Sequence, residues 1–199
     1  MGQLRIIAGK WKRRPIAVKD LIGLRPTPDR VRETLFNWLG QQLTDLHCLD
    51  LFAGSGALGL EAASRGAQEV VMVESDRAAW RSIDTSIAQW DARPQCRVVL
   101  ARAQDWLSSC GPQSFDVIFL DPPYGLGLIQ EVLPLLPSLL AADGRIYVEA
   151  EAPLDPAWLA GLGLEVLRAD KAGAVHYHLL QMGASKGEQD ADRGLSGHV

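Results

Sequence analysis

The sequence has few cysteines and no long apolar segment. Its 199 residues include 3 cysteines, none of which belongs to a C-x-x-C or C-x-x-H pair. This small, odd number argues against a disulfide framework and favours reduced thiols, as in the cytoplasm. No stretch approaches the roughly 20 consecutive apolar residues of a membrane span, and the first residues do not form an export signal. We therefore expect a cytoplasmic protein that makes no contact with membranes.

Metal-ligand patterns are scarce as well. Of the 4 histidines, only His176 and His178 are close together, and they alternate along a predicted strand, which favours structural roles. Hydrophobic residues make up 47% of the chain and charged residues 22%, as in ordinary globular domains. A chain of this size buries about 70% of its unfolded surface, so its core needs neither a disulfide nor a metal. We expect no metal site.

Positive charge is concentrated near the amino end. Residues 1–32 contain nine lysines or arginines and two aspartates, a net charge of +7. The rest of the chain contains 11 basic and 22 acidic residues, a net charge of −11. Such asymmetry is typical of proteins that bind a polyanion, because lysine and arginine contact phosphates irrespective of sequence. A solvated basic hairpin has the same composition, so both interpretations stay open here.

The hydropathy pattern divides the chain into three segments. Residues 1–40 are predicted to form a basic extension, a β-hairpin followed by a helix that begins at Thr27. Residues 41–182 alternate between strand and helix patterns and form the main domain. Residues 183–199 are polar and glycine-rich, which predicts a disordered tail.

The alternation in the main domain predicts a parallel sheet covered by helices on both faces. Strands are predicted over residues 47–52, 70–74, 98–101, 115–120 and 146–149. Helices are predicted over residues 57–65, 77–90 and 128–140, the last interrupted by Pro134 and Pro137. Residues 163–169 and 174–181 predict a closing antiparallel hairpin. The expected fold is therefore α/β and Rossmann-like, with a seven-stranded, mostly parallel sheet and an antiparallel C-terminal hairpin.

A glycine-rich turn after the first predicted strand is the most informative segment. Gly54, Gly56 and Gly59 form a G-x-G-x-x-G pattern between a strand and a helix, where glycines let a ligand approach backbone amides. Glu74 lies 20 residues after Gly54, at the end of the second strand, where an acid can bind a ribose diol. These features suit any adenosine cofactor, NAD included.

Asp50 distinguishes between such cofactors. Its carboxylate ends the first strand beside the glycine turn, where a dinucleotide would place its pyrophosphate and like charges would repel. S-adenosylmethionine has a sulfonium, an ammonium and no phosphate, so this carboxylate would help to hold it. The absence of an obvious second catalytic domain also disfavours an NAD-dependent oxidoreductase. Asp50 could instead orient the turn alone, through backbone hydrogen bonds.

A second motif, Asp121-Pro122-Pro123-Tyr124, directly follows the fourth predicted strand. Ligands of doubly wound sheets bind beyond the carboxyl ends of the strands, so this loop and the glycine turn belong to one rim. The prolines remove two N–H donors, which leaves carbonyls and the Asp121 carboxylate as acceptors. Acceptors around an exocyclic base amine would favour a pyramidal nitrogen that can attack a sulfonium methyl group. Tyr124 would stack on an extruded base; a simple strand-to-helix connection is the alternative.

These motifs resemble those of the amino methyltransferases with the class I S-adenosylmethionine fold. G-L-R-P-T (residues 23–27) and D-R-V-R-E-T-L-F-N (29–37) are similar to segments of the RsmD-type ribosomal RNA methyltransferases. R-I-I-A-G-K-W (5–11) and L-D-L-F-A-G-S-G-A-L-G-L-E-A (49–62) extend the resemblance to nearly the whole chain apart from the tail. The resemblance implies S-adenosyl-L-methionine as cofactor and methylation of the 2-amino group of one guanine in 16S ribosomal RNA. It also implies the assembled small subunit as substrate.

The resemblance implies functions for individual residues. The predicted catalytic residues, which would contact the guanine, are Asp121, Pro122 and Tyr124. The predicted cofactor contacts are Asp50, Phe52, Gly54, Ser55, Gly56, Glu74, Ser75, Ala103 and Asp121. The predicted RNA contacts are Tyr124 and, in the basic extension, Arg5, Lys10, Lys12, Arg13, Arg14, Arg25, Arg30, Arg32 and Asn37. Arg30 and Arg32 could instead pair with Asp29 and Glu33 on a solvated helix face.

Two other functions fit part of this pattern. An adenine methyltransferase acting on DNA or RNA would keep the Asp-Pro-Pro-Tyr loop, and a non-enzymatic RNA-binding assembly factor would keep the fold. Residues 101–105 depart from the family pattern and leave the adenine contact open. Catalysis is expected to depend on positioning and on acceptors around the amine, with Asp121 as orienter and proton acceptor. The chain is expected to act as a monomer.

Overall fold

The computed structural model describes residues 4–17 and 29–183. Its strands are β1 (His47–Asp50), β2 (Glu69–Glu74), β3 (Cys96–Leu100), β4 (Phe115–Leu120), β5 (Leu140–Ala150), β6 (Leu164–Ala172) and β7 (Val175–Met182). Its helices are α1 (Asp29–Trp38), α2 (Ala57–Ser64), α3 (Arg77–Gln89), α4 (Ala103–Ser109), α5 (Leu128–Val132) and α6 (Pro156–Gly161). A 3₁₀ helix, η1 (Leu133–Leu139), links α5 to β5.

The seven strands form one sheet in the order β3-β2-β1-β4-β5-β7-β6. Neighbouring strands from β3 to β5 are parallel, whereas β7 is antiparallel to both β5 and β6. The predicted fold class is therefore confirmed. The chain fills one side of the sheet from β1 to β3 and then crosses to β4, so the strand order reverses between β1 and β4. In such sheets a ligand crevice opens at this reversal, beyond the carboxyl ends of the strands.

Helices cover both faces of the sheet, which is why its central strands are apolar. On one face, Phe119 of β4 and Tyr147 of β5 belong to a core that includes residues of α1, α2 and α3. On the other face, Ile118 and Val148 belong to a core that includes residues of α4, η1 and α6. Because successive strand residues point to opposite faces, each central strand contributes to both cores.

The predicted elements differ from the structure at α4, α6, η1 and β5. The helices α4 and α6 have only 7 and 6 residues, too few for an apolar periodicity to be recognised. The predicted helix over residues 128–140 is wrong in its second half, because Pro134 and Pro137 lack amide donors and the chain forms η1 there. Strand β5 begins earlier than predicted, since Leu140 pairs with Phe115 before a register shift.

Residues 4–17, which we call the arm, belong to the same core as α1 to α3. Arg5 and Pro15 form an antiparallel bridge, in agreement with the predicted hairpin. The buried side chains of the arm are Leu4, Ile6, Trp11 and Ile16. The rings of Trp11 and Trp90 pack with centroids 5.6 Å apart. The arm is therefore held along its length against the body of the protein.

Three predicted features lie outside the described residues: the helix start at Thr27, the RNA contact of Arg25 and most of the polar tail. Within the described part of the chain, no helix has both the length and the apolar character needed to cross a membrane.

Candidate active site

The two predicted motifs meet at one edge of the sheet. Strand β1 ends at Asp50, which is in register with Phe119 of β4, and the glycine turn and the Asp-Pro-Pro-Tyr loop follow these two strands. The N–H of Leu51 donates to the carbonyl of Phe119 at 3.1 Å, and the N–H of Ala53 donates to the carbonyl of Val73 at 3.0 Å. These bonds tie the turn to both neighbouring strands, so the turn and the loop lie side by side at the carboxyl ends of β1 and β4.

Glu74 supports the glycine turn directly. Its Oε2 accepts the N–H of Gly54 at 2.7 Å, and its Oε1 accepts the N–H of Asp76 at 2.6 Å. Gly54 and Gly56 have φ angles of +55° and +78°, in the left-handed region that glycine adopts without strain. The half-buried carboxylate of Glu74 thus lies against the turn, where a ribose-binding acid is expected.

Asp50 is buried below the same turn. The residue is 2% exposed, and its Oδ2 accepts the N–H of Gly59 at 3.0 Å. A Cβ atom on Gly59 would lie 2.6 Å from Sδ of Met72, so a side chain here would displace Met72. Burial raises the pKa of Asp50 to about 7; the Gly59 hydrogen bond opposes this shift and the charge of Glu74 adds to it. Asp50 therefore orients the turn, and its contact with a cofactor stays a prediction.

The other predicted cofactor residues lie near the same edge. Ala103 is buried at the start of α4, and the N–H of Ala101 donates to the carbonyl of Glu74 at 3.0 Å. The remaining positions are half-buried in the turn or exposed after β2: Phe52, Ser55 and Ser75. Their contacts with a cofactor stay predictions.

The Asp-Pro-Pro-Tyr loop combines a sheltered acid with an accessible ring. Asp121 is half-buried and Pro122 is buried, whereas Tyr124 is 43% exposed. The N–H of Gly125 donates to Oε2 of Glu151 at 3.3 Å, which ties the loop to the segment after β5. The loop therefore presents oxygen acceptors at its base and an aromatic surface at its tip.

A second acid next to this loop has no counterpart among the predicted site residues. Glu149 is buried near the end of β5, and its Oε1 accepts the hydroxyl hydrogen of Tyr147 at 2.8 Å. Burial raises the pKa of Tyr147 well above its ordinary value, and the charges of Glu149 and Asp121 raise it further. These three side chains form one cluster at the ends of β4 and β5. Their signal in the sequence is the alternation of Tyr147 and Glu149 in an apolar strand.

Glu61 of α2 anchors the arm from inside the protein. Its fully buried carboxylate accepts the N–H groups of Ile7 at 2.7 Å and Ala8 at 3.0 Å, and the Nε–H of Arg65 at 2.8 Å. Nη1 of Arg32 lies 3.8 Å from the same carboxylate. Two arginines therefore balance one buried acid that holds two backbone amides of the arm.

Ser64, near the end of α2, continues this anchor. Its Oγ accepts the N–H of Trp11 at 2.9 Å and donates to the carbonyl of Ala8 at 2.6 Å. Its own carbonyl accepts the N–H of Lys10 at 2.7 Å. Gly9, with φ of +80°, has no room for a side chain, since a Cβ would lie 1.8 Å from that carbonyl oxygen. The turn of the arm thus fits closely onto α2.

Of the predicted RNA contacts that the structure describes in the basic extension, one is buried and the others are exposed. Arg32 is completely buried, and its Nη2 donates to Oδ1 of Asp29 at 2.6 Å and to the carbonyl of Arg5 at 2.9 Å. This burial contradicts an RNA contact by the Arg32 side chain. The pairing with Asp29 is as the alternative predicted, but Arg32 is buried and not on a solvated helix face. The other described members of the set are exposed: Arg5, Lys10, Lys12, Arg13, Arg14, Arg30 and Asn37.

The paired histidines lie on β7. His178 is buried, its Nε2 accepts the N–H of Leu154 at 3.4 Å, and burial lowers its pKa. In residues 4–17 and 29–183, no group of three or more histidines, cysteines or acids is arranged to hold a metal ion. The placement of His178 agrees with a structural role.

Known proteins resemble this chain over nearly its whole length. The family model described as "Conserved hypothetical protein 95" matches residues 4–181. "Ribosomal RNA small subunit methyltransferase D" of Escherichia coli (strain K12) is 45% identical over 198 residues, 96% of each chain. The protein of the same name from Haemophilus influenzae is 39% identical over 186 residues, 90% of this chain and 94% of its own.

Solved structures agree with these matches. "Putative methyltransferase yhhF from Escherichia coli" superimposes with a TM-score of 0.79 and 44% identity, covering 92% of this chain and 100% of the other. "Putative methylase HI0767 from Haemophilus influenzae" superimposes with a TM-score of 0.76 and 36% identity, covering 92% and 99%. The family model and these relatives span both the glycine turn and the Asp-Pro-Pro-Tyr loop, and the chain therefore belongs to the RsmD family of methyltransferases.

Proposed function

We propose that the protein transfers a methyl group from S-adenosyl-L-methionine to the 2-amino group of one guanine in 16S ribosomal RNA, within the assembled small subunit. The main support is the adjacency of two segments at the carboxyl ends of β1 and β4, where the loop that begins at Asp121 lies beside the turn that begins at Asp50. One edge of the sheet thus offers acceptors for an amine next to a site for an adenosine cofactor. The relatives named ribosomal RNA small subunit methyltransferase D support RNA of the small subunit as the substrate.

The turn suits a cationic adenosine cofactor. Glu74 lies beside the N–H of Gly54, and its carboxylate would hold the ribose hydroxyls. Asp50 adds a second acid, which a sulfonium and an ammonium favour and a pyrophosphate does not. Residues 50–59 contain no lysine or arginine that would neutralise a phosphate. When bound, S-adenosylmethionine supplies an electrophilic methyl group.

Asp121 and the carbonyl of Pro122 would accept the two hydrogens of the guanine amine. The prolines lack N–H groups, so the loop offers these acceptors without competing donors. Hydrogen bonds of this kind favour a pyramidal nitrogen whose lone pair points away from the ring plane. The nitrogen must lose a proton once the new N–C bond forms, and the Asp121 carboxylate would accept it. The exposed ring of Tyr124 would stack on the extruded base.

The arm would hold the RNA through its phosphates. Glu61 and Ser64 fix its backbone, so its lysines and arginines project from a rigid support. Nζ of Lys10 lies 5.6 Å from the centre of the Trp11 ring, a cation–π contact that limits the freedom of this side chain. A cation held in place loses less conformational entropy when it meets a phosphate.

The proposal is tested by transfer of labelled methyl groups from S-adenosylmethionine to small subunits that lack base methylation, followed by nucleoside analysis. We expect the label in 2-methylguanosine, with faster transfer to subunits than to naked RNA. Label in methyladenosine would keep the fold and overturn the guanine assignment. Cofactor binding without transfer to either substrate would favour a non-enzymatic RNA-binding protein.

The pKa of Asp50 leads to a prediction for cofactor affinity. Below about pH 7 the Asp50 carboxyl group is protonated, and above this value its negative charge attracts a cationic cofactor. We therefore compare the affinity of wild type for S-adenosylmethionine with that of Asp50→Asn. The ratio of the two affinities should rise by up to about tenfold per pH unit below pH 7 and then level off. Calorimetry from pH 5.5 to 8.5 measures this ratio. Titration of the cofactor itself affects both proteins equally and therefore cancels.

The asparagine retains an oxygen that can accept the Gly59 N–H and removes the charge. Equal affinities of wild type and Asp50→Asn at every pH would show that Asp50 has only the orienting function.

Cations at the tip of the arm lead to a second prediction. Lys12 and Arg13 are exposed, and replacing both with glutamine should weaken subunit binding. The steepness of log K against log salt should fall by about one for each phosphate that the arm no longer neutralises. Filter binding at several salt concentrations measures this slope. The matched control replaces Arg97 and Arg168 with glutamine, because both are exposed on the edge strands β3 and β6. This double variant should leave the slope unchanged. Equal changes in the slope for the two double variants would contradict phosphate binding by the arm.

A further inference from the structure

A cavity of about 440 Å³ opens beside the Asp-Pro-Pro-Tyr loop. One wall is formed by Pro122, Pro123 and Tyr124, and the opposite wall by residues 150–155 and Trp158. Its volume lies within the roughly 300–1,000 Å³ that is usual for small-molecule sites. Pro122 and Tyr124 line this cavity and Asp121 does not, so the cavity borders the place assigned to the guanine amine without including the Asp121 carboxylate.

The chemistry of the walls favours a nucleobase over a phosphate. Tyr124 and Trp158 supply aromatic surfaces, and Ile129 adds an apolar one. Glu151 and Asp155 add carboxylates, which accept hydrogen bonds from exocyclic amino groups. No lysine, arginine or histidine of the described chain lines the cavity, so a phosphate there would meet only negative charge.

Contacts between and within the walls fix the shape of the cavity. The N–H of Gly125 donates to Oε2 of Glu151 at 3.3 Å across the two walls. Oδ1 of Asp155 accepts the N–H of Ala157 at 2.9 Å and thereby fixes the start of α6. Trp158 packs against the core on this side of the sheet. A base would therefore enter a site that needs little rearrangement.

We infer that this cavity binds an unpaired nucleobase that neighbours the target guanine in the RNA, stacked on Tyr124 or Trp158 with an amino group toward Glu151. This inference rests on the proposed function. Extruding a guanine breaks its stacking on its neighbours, and a neighbouring base held here regains stacking in the complex. Tyr124 connects the two sites, since it belongs both to the loop that receives the guanine and to this cavity.

Four variants test the inference in the full-length protein. Trp158→Leu removes the aromatic surface, and Glu151→Gln removes the carboxylate charge at an exposed position. We expect each to raise the KM for small subunits about tenfold, with kcat and the affinity for S-adenosylmethionine unchanged. Trp158→Phe keeps an aromatic ring and should stay within about threefold of wild type. Glu131→Gln, an exposed acid on α5 that does not line the cavity, is the matched control and should not differ from wild type.

Ultraviolet crosslinking identifies the base. With wild type on subunits and S-adenosylhomocysteine present, the peptide that contains Trp158 should crosslink to a nucleotide adjacent to the one that becomes methylated. A crosslink to the methylated nucleotide itself would overturn the inference, because the cavity would then hold the target. So would equal KM values for Trp158→Leu, Glu151→Gln and wild type.

Failure of the proposed function remains distinguishable from failure of this inference. If wild type transfers no methyl group, the proposed function fails. Equilibrium binding of subunits without turnover then still tests the cavity, since equal Kd values for wild type and Trp158→Leu reject it. Weaker binding by Trp158→Leu and Glu151→Gln, with Trp158→Phe and Glu131→Gln close to wild type, supports it.

Discussion

Replacing Asp121 with alanine is expected to reduce methyl transfer to small subunits by at least about 100-fold, the lower range for loss of a general acid or base. The variant removes an acceptor for the guanine amine and the acceptor of its proton. Asp121 follows β4 on the loop side of the crevice, whereas the cofactor would be held mainly by the turn after β1. Single-turnover transfer of labelled methyl groups measures the rate, and calorimetry measures cofactor affinity, which should fall much less than the rate because Asp121 is only one of the nine predicted cofactor contacts.

Asp143→Ala is the matched control for Asp121→Ala. Asp143 is exposed in the first half of β5, at the opposite end of the sheet from the crevice, and its replacement should leave transfer unchanged. Asp121→Asn adds a second comparison, because asparagine keeps an acceptor oxygen and loses the ability to take up a proton. A transfer rate for Asp121→Ala within about fivefold of wild type would show that Asp121 takes no part in the reaction.

Replacing Glu61 with alanine is expected to lower the free energy of unfolding by about 3–5 kcal/mol, as for other buried ion pairs that lose one partner. Arg65 would be left buried without its acid, and buried Arg32 would keep only Asp29 as an acidic partner. The N–H groups of Ile7 and Ala8 would lose their acceptor, a further cost for each buried donor. Urea unfolding followed by fluorescence measures the change.

Glu69→Ala provides the comparison for Glu61→Ala. Glu69 also faces an arginine, with its Oε1 3.3 Å from Nε of Arg97, but both side chains are about half exposed. Such surface pairs contribute less than about 1 kcal/mol, so the two glutamates should differ severalfold in their effect. Equal changes in the free energy of unfolding would mean that the Glu61 network contributes no more to stability than a surface ion pair.

Proteolysis of the arm tests its anchoring separately from the stability of the whole protein. In Glu61→Gln, which keeps the size of the side chain and removes its charge, limited trypsin digestion should cut after Lys10, Lys12, Arg13 or Arg14 faster than in wild type. Subunit binding should weaken in parallel, while affinity for S-adenosylmethionine should change little. An unchanged cleavage rate in Glu61→Gln would show that the other arm contacts suffice.

The fold and the adjacency of the two motifs could be predicted because their signals are local. Glycines at positions 54 and 56 have left-handed φ angles, and a strand–glycine–helix pattern needs only neighbouring residues to be recognised. The spacing of 20 residues between Gly54 and Glu74 corresponds to a direct hydrogen bond, because one helix and one strand separate the turn from this acid in such a parallel unit. The position of the Asp-Pro-Pro-Tyr loop follows from the same rule, since parallel strands end at one edge.

Burial of charge could not be predicted in the same way. Arg32 has the sequence surroundings of an exposed helical arginine, with acids on either side along α1. It is buried because the arm, 27 residues earlier at Arg5, folds across it and supplies a carbonyl acceptor. Glu61 gave one weak signal, an acid within the largely apolar helix α2, but its partners lie 53 and 54 residues away in the arm.

Local sequence patterns were enough to establish the order of most strands and helices, the glycine turn beside Glu74, the position of the Asp-Pro-Pro-Tyr loop and the excess of positive charge near the amino end. These depend on periodicity, turn chemistry and composition, which act over a few residues. Long-range packing, by contrast, established which cations are presented and which are buried, that Tyr147 and Glu149 stand beside Asp121, and that a cavity adjoins Tyr124. Those features arise where segments distant in sequence meet, and their energies depend on the water that this packing excludes.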